Sequence, residues 1–138
     1  MRHKKELLFK VRVRGIAINN KKILLVKENG GNWETPGGIV EDEEKFEDAL
    51  KREMLEETGY DIGVGNIIFI TYKKFSQKTC NLHIFYKILL KSKISEPEKD
   101  IEGIKWFDIK ELKKLIDKNE VDYHDIDFFN YAINKRLL

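Results

Sequence analysis

The segment from Lys45 to Thr58 has the periodicity of an amphipathic helix, yet its apolar stripe also carries acidic side chains. At about 100° per residue, Phe46, Leu50 and Met54 project within about 80° of one another and define the side that faces a core. Two carboxylates, those of Glu53 and Glu57, lie inside this stripe, and that of Glu56 lies at its edge. A helix of this kind can pack against a sheet only if those charges find partners.

Charge on the inward side of a helix requires compensation. Ionised carboxylates are costly to bury without partners, and neighbouring carboxylates repel one another. Spacings of three and four residues bring the three head groups within reach of a common point, where a hard divalent cation with oxygen ligands would offset their charge. Arg52, four residues before Glu56, can form an ion pair that orients part of the cluster. The alternative is a solvated acidic face that binds nothing.

The rest of the chain shows strand and helix patterns in mixed order. Apolar and basic residues alternate over positions 9–14, the period of a half-buried strand, and we predict one long strand over 9–18 in which Gly15 allows a bend. Asn19 and Asn20 predict a turn into a second strand at 22–27, so the chain opens with a hairpin. Further strands are predicted at 64–72, 82–90 and 104–107. Helices are predicted from an N-cap at Asp42 to a stop at Gly59, onward from Asp108, and within 123–138.

Length and composition restrict the class of protein. The chain has 138 residues, 41% of them apolar, which predicts a single folded domain over 1–138. A net charge of +2 is far below the basic excess of dedicated nucleic-acid binders. Basic residues interrupt the first apolar run, so we expect no signal peptide, and no run is long enough to span a membrane. With Cys80 as the single cysteine, these features favour a soluble cytoplasmic protein.

The inward carboxylates belong to a longer motif. Residues 33–40 read W-E-T-P-G-G-I-V, a loop whose glycines allow the backbone to approach a ligand. From Gly38, five residues lead to Glu44 and seven more lead to the run R-E-M-L-E-E-T-G-Y at 52–60. This pattern resembles the signature of the MutT-like Nudix hydrolases. It departs from the family at Glu43, where many members have glycine, and at Tyr60, where an aliphatic residue is usual.

The resemblance implies a Nudix-type α/β/α sandwich with a mixed β-sheet, in which Mg²⁺ or Mn²⁺ supports hydrolysis of a nucleoside diphosphate linked to another moiety. By position, Glu53, Glu56 and Glu57 would bind the metal, a carbonyl near Gly37 or Gly38 would assist, and Arg52 would hold the motif together with Glu44. Glu53 is our candidate for the additional role of general base. The partner would be a small nucleotide, not a nucleic acid or a membrane, bound by a monomer or homodimer.

The substrate is less constrained by the sequence. We favour a nucleoside triphosphate pyrophosphohydrolase; the alternatives are a hydrolase of dinucleoside polyphosphates or nucleotide sugars, and a non-catalytic nucleotide-sensing domain. Four further residues are candidates for substrate contacts, and three of them have a structural alternative. Arg12 would steer phosphates or face solvent, and Trp33 would stack on a base or pack in the core. Glu98 would supply a loop base or lie in a solvated loop, and Asn119, just before the last helix, would read the base.

Overall fold

The computed structural model describes residues 6–138. The strands are β1 (Leu8–Ile16), β2 (Ile18–Asn19), β3 (Lys22–Glu28), β4 (Trp33–Glu34), β5 (Gly37–Ile39), β6 (Tyr60–Lys74), β7 (Thr79–Lys93) and β8 (Ile101–Phe107). The helices are α1 (Phe46–Thr58), α2 (Ile109–Asp117) and α3 (Ile126–Asn134), the last preceded by a 3₁₀ turn over Tyr123–Asp125. None of the helices in this part of the chain is long and apolar enough to cross a membrane.

Two four-stranded sheets form the centre of the fold. The first has the order β5-β1-β7-β6 and is mixed, because β1 runs parallel to β7 while the β1–β5 and β6–β7 pairs are antiparallel. In the second, β3 pairs with β2, β4 and β8, all antiparallel. The mixed α/β architecture expected from the sequence is therefore confirmed.

Two hydrophobic cores hold the helices against the strands. The first contains the buried face of α1, contributed by Ala49, Leu50 and Met54. The second contains residues of α2 and α3, among them Leu112, Phe128 and Phe129. Neighbours along one strand, such as Leu24 and Leu25, enter different cores, as expected when both faces of a strand are covered. The helices thus lie on both sides of the strands.

The opening hairpin predicted between one long strand at 9–18 and a second strand at 22–27 is confirmed only beside its turn. β1 pairs with β5 and β7, and β3 belongs to the other sheet. Only the two residues of β2 pair with the start of β3, across a turn in which Asn20 and Lys21 both have left-handed φ angles, 51° and 59°. Such a turn closes a tight hairpin, so the turn signal was correct and the length of the paired segments was not.

Local boundaries also differ near α1. Asp42 does not cap this helix: Lys45 is its N-cap, without a side-chain hydrogen bond. Gly59 ends it as predicted, with φ 79° and its N–H bonded to the Leu55 carbonyl. The segment predicted as a loop at 33–40 contains two short strands, β4 and β5, and the last helix is confined to α3 and the preceding 3₁₀ turn. Short strands of this kind leave no periodic signal in the sequence.

Candidate active site

A cleft of about 440 Å³ opens where β1, the end of β3, β4, β5 and α1 meet. Its acidic lining comes from different elements: Glu28, Glu34, Glu41, Glu53 and Glu57. Two arginines of β1, Arg12 and Arg14, lie along it as well. The cleft therefore joins carboxylates and guanidinium groups within one small volume, which suits a ligand that carries anionic groups together with a bound cation.

Glu57 is the most deeply buried carboxylate of the cleft, with 6% of its surface exposed. Its Oε1 accepts a hydrogen bond of 2.8 Å from the backbone N–H of Gly37. Burial raises the pKa of the Glu57 carboxyl well above its usual value, while the Gly37 bond and the nearby Arg14 act in the opposite direction. A buried carboxylate held in one orientation is a costly arrangement, and a cation in the cleft would compensate for it.

Gly38 brings the backbone of β5 against Glu53. A Cβ at this position would lie 2.5 Å from the carboxyl carbon of Glu53 and 2.5 Å from its Oε1, so only glycine leaves the carboxylate its place. Gly37 has φ 148°, and a Cβ there would collide with the Val13 carbonyl of β1. Both glycines are thus required by close approaches of the backbone, one to a carboxylate and one to a neighbouring strand.

The structure brings to Glu57 two carboxylates that the sequence did not single out, those of Glu28 and Glu34. Oxygen atoms of Glu28, Glu34 and Glu57 lie within 4.8 Å of one another. Burial raises the pKa of Glu34 to about 8. Glu34 stands beside the glycine-containing segment, so proximity to that motif was an available signal; Glu28 ends β3, and nothing in its neighbourhood of the sequence marks it. Carboxylate oxygens from separate elements are the donor set that a hard divalent cation uses.

Arg52 connects the carboxylates of α1 to the segment before it. Its guanidinium contacts Glu44 through Nε at 2.8 Å and through Nη2 at 3.0 Å, and Nη1 lies 2.9 Å from Glu53. Nη2 also donates to the Ile39 carbonyl at 3.1 Å. The hydrogen bond from Arg52 holds the pKa of the Glu44 carboxyl below its usual value. A bidentate pair of this type fixes geometry as well as charge.

Two of the three basic residues of β1 are withdrawn from solvent. Arg14 is 3% exposed, donates from Nη1 to the Thr35 carbonyl at 3.0 Å and lies 3.7 Å from Glu34. Arg12 is half-buried and donates from Nε to the Asn81 side chain at 3.2 Å. Lys10, further along the strand, is exposed. Alternation along β1 therefore places two arginines at the cleft, one buried and one partly open to a ligand.

A model of the NUDIX domain matches residues 8–126 of the chain. The chain belongs to the Nudix hydrolase family. It is 33% identical over 126 residues to mRNA-decapping enzyme subunit 2 of Saccharomyces cerevisiae, a match covering 83% of this chain and 12% of that protein. It is 36% identical over 67 residues to the 8-oxo-dGTP diphosphatase of Proteus vulgaris, covering 49% of this chain and 60% of that one. The chain thus spans less than two thirds of either relative.

Solved Nudix structures share the fold. The crystal structure of the MutT protein from Methanosarcina mazei superposes with a TM-score of 0.75 at 21% identity, covering 96% of this chain and 99% of that one. A NUDIX hydrolase from Nitrosomonas europaea superposes with a TM-score of 0.67 at 26% identity, covering 76% of each chain. The Nudix-type sandwich that the sequence motif implied is therefore confirmed.

The site residues implied by the family motif do not all face the cleft. Glu53, Glu57, Gly37 and Gly38 line it. The Glu56 side chain is 37% exposed, lies 3.5 Å from Arg52 Nη1, and is not among the cleft-lining residues. The border position that the helical projection assigns to Glu56 agrees with this placement.

Of the four candidates for substrate contacts, only Arg12 lies at the cleft. Trp33 packs against Phe107, with ring centroids 4.9 Å apart, and belongs to the second core. The backbone N–H of Glu98 donates to the Glu56 carbonyl at 2.8 Å, and its side chain is exposed. Asn119 is exposed in the turn after α2, with φ 58°. The side chains of Trp33, Glu98 and Asn119 therefore do not line the cleft.

A second polar group lies next to the cleft. His124 Nδ1 is 2.7 Å from Asp122 Oδ1, a hydrogen bond that lowers the pKa of the Asp122 carboxyl against the opposing effect of burial. The ring of His83 lies 4.8 Å from that of His124, and the Nε2 atom of each is buried without a hydrogen-bond partner. Arg14 connects this group to the cleft, because its Nε donates to His83 Nδ1 at 3.5 Å.

Proposed function

We propose that this chain is a metal-dependent hydrolase that cleaves the diphosphate linkage of a nucleotide, with nucleoside triphosphates as the favoured substrates. The observation that carries the proposal is the convergence of Glu53 and Glu57 with Arg12 in one cleft closed by Gly37 and Gly38. A polyphosphate is dense in negative charge, so its hydrolysis requires neutralised phosphates, an oriented water and a proton acceptor. The cleft has groups for each of these requirements.

The donor set fits Mg²⁺ or Mn²⁺, because every candidate ligand is a carboxylate oxygen. We propose Glu53 and Glu57 as ligands. Glu28 and Glu34 are close enough to contribute, because their carboxylate oxygens lie within 4.8 Å of a carboxylate oxygen of Glu57. Glu56, also implied by the family motif, would reach the ion only at the outer edge of the site. When bound, a divalent cation would neutralise phosphate charge and lower the pKa of a water molecule.

The side chains of this protein have distinct proposed roles. The partly exposed Arg12 binds phosphate oxygens, while buried Arg14 balances the acidic cluster. Glu53 accepts the proton of the attacking water, since its carboxylate lies at the cleft beside the glycine segment. Arg52 keeps Glu53 in place through the contact at 2.9 Å. Orientation by such contacts accounts for a large share of catalysis in reactions of this class.

The relatives support a nucleotide with a diphosphate linkage. One is named an 8-oxo-dGTP diphosphatase and another a decapping enzyme subunit. We therefore propose nucleoside triphosphates, oxidised ones included, as the first compounds to examine. Dinucleoside polyphosphates and nucleotide sugars complete the panel.

The experiment is a hydrolysis screen in the presence of Mg²⁺ and of Mn²⁺, with release of phosphate or pyrophosphate as the readout. We expect chelation to abolish turnover, and Glu57→Gln or Glu53→Gln to lower kcat at least about 100-fold. Glu47→Gln is the matched control, because Glu47 is exposed on the same helix and lies outside the cleft. Full activity in either cleft variant contradicts the proposal. Tight nucleotide binding without turnover in any metal would instead identify a sensing domain.

A further inference from the structure

Thr35 is a fully buried residue whose polar groups are all engaged by the surrounding protein. Its backbone N–H donates to Asp125 Oδ2 at 2.7 Å, and its hydroxyl donates to Asp125 Oδ1 at 2.9 Å. Its carbonyl accepts from Arg14 Nη1 at 3.0 Å. Both carboxylate oxygens of Asp125 thus accept hydrogen bonds from Thr35. The contact with Arg14 engages the Thr35 carbonyl, which is the remaining polar group of this residue.

Asp125 is a rigid partner for this contact. It has no exposed surface and ends the 3₁₀ turn that leads into α3. The helix itself is anchored by Phe128, Phe129 and Ala132, all fully buried in the second core. A buried carboxylate is destabilising unless it is hydrogen-bonded and compensated, and here both oxygens of Asp125 accept from Thr35 while the charge of Arg14 lies nearby.

Thr35 lies between two residues that line the cleft, Glu34 and Gly37. Glu34, immediately before it, has a carboxylate oxygen within 4.8 Å of those of Glu28 and Glu57. Gly37, two residues after it, donates its N–H to Glu57 at 2.8 Å. A displacement of Thr35 would therefore shift one acidic side chain and the backbone donor that orients another.

We propose that Thr35 and Asp125 are positioning residues: together they form a clamp that joins the C-terminal helix to the 34–38 segment and holds Glu34 and Gly37 in the geometry that binds a divalent cation. Neither residue touches the substrate. The inference deepens the proposed function and rests on it for the reaction. Cation binding can be measured without any nucleotide, so the clamp can be judged separately.

The test compares Thr35→Val, Thr35→Ser and the control Leu112→Val. Valine has the shape of threonine and removes only the hydroxyl donor, whereas serine restores it. Leu112 is fully buried in the second core and lies outside the cleft, so its variant reports a loss of stability alone. The readouts are the Mn²⁺ dissociation constant from calorimetry of the metal alone, the melting temperature, and kcat and KM for any nucleotide that is hydrolysed.

We expect Thr35→Val to weaken Mn²⁺ binding about 10-fold and to lower kcat by a similar factor with KM changed less than about twofold, as for residues that orient ligands from outside. Thr35→Ser should bind Mn²⁺ like the parent protein, and Leu112→Val should lower only the melting temperature. Unchanged Mn²⁺ affinity in Thr35→Val, or no Mn²⁺ binding by the parent protein, overturns the clamp. Mn²⁺ binding without hydrolysis of any nucleotide overturns the proposed function while the clamp is still decided by the metal titration.

Discussion

The backbone N–H of Gly37 lies 2.8 Å from Oε1 of Glu57, and this bond joins the glycine segment to the helix that carries the acidic residues. It explains how a helix can keep a carboxylate on its buried side: a backbone donor satisfies one oxygen and leaves the other available to the cleft. One lone pair is bound by protein, and the remaining acceptor capacity suits a cation.

Gly38→Ala should reduce activity far more than stability. A Cβ at position 38 would lie 2.5 Å from the Glu53 carboxyl carbon, and the end of a flexible side chain can move away at little cost to folding. We expect kcat to fall at least about 10-fold because Glu53 leaves its position, with little change in melting temperature. Gly63→Ala in β6 is the control, since its Cβ would meet only ordinary contacts, the nearest at 3.5 Å. Equal kcat values for the two variants would exclude this role for Gly38.

Glu43→Gly should stabilise the protein. Glu43 has a left-handed φ of 62° in the turn before α1, a conformation that is unfavourable for a residue with a Cβ. We expect the free energy of unfolding to rise by about 0.5–1 kcal/mol, measured by urea denaturation. Asp42→Gly, at a neighbouring position without a positive φ, should lower it because glycine is more flexible in the unfolded chain. A loss of stability in Glu43→Gly would contradict the expectation.

His83 should make the protein less stable in acid. Burial lowers its pKa to about 3; the nearby charges of Arg14, His124 and Arg12 act in the same direction, and Asp122 opposes them. The unfolded chain therefore takes up this proton first, near pH 6.5, so stability is full above that pH and declines as the pH falls towards 3. The decline from this group is at most about 1.4 kcal/mol per pH unit.

The check is urea denaturation of the parent protein and His83→Gln between pH 7 and pH 5. Other groups, Glu34 among them, contribute pH dependence to both proteins, so the difference between the two proteins isolates His83. We expect the parent protein to lose stability relative to the variant as the pH falls. A constant difference over this range would show that His83 does not titrate as described.

The sequence predicted the placement of the acidic residues of α1 better than the connections around the helix. The helical projection placed Glu53 and Glu57 on the inward side and Glu56 at the border, and the structure agrees, because helix periodicity is a local property. Glu28 and Glu34 were not selected, since their approach to Glu57 depends on how β3 and β4 pair. Register and sheet order are long-range properties, which also explains why the predicted hairpin is longer than the one observed.

Substrate contacts were the least predictable part. Arg12 could be placed from the sequence because the alternation of side chains along a strand is a local property. Its side chain lies at the cleft. Trp33 packs in the second core, where its partner Phe107 is distant in sequence. The contact between Thr35 and Asp125 had no signal in the sequence, since 90 positions separate the two residues. The cytoplasmic location of the protein and its monomeric or dimeric state stay predictions from the sequence.

The central claim is that the inward carboxylates of α1 exist to bind a cation. Its most direct test is the melting temperature in rising MgCl₂ without nucleotide, measured for the parent protein, Glu57→Gln and Glu47→Gln. Glutamine at 57 keeps an oxygen for the Gly37 bond but loses the charge. Because a ligand that binds only the folded state stabilises it, the parent protein and Glu47→Gln should show a saturable rise that Glu57→Gln lacks. An equal rise in all three proteins, or no rise in the parent protein, would contradict the claim.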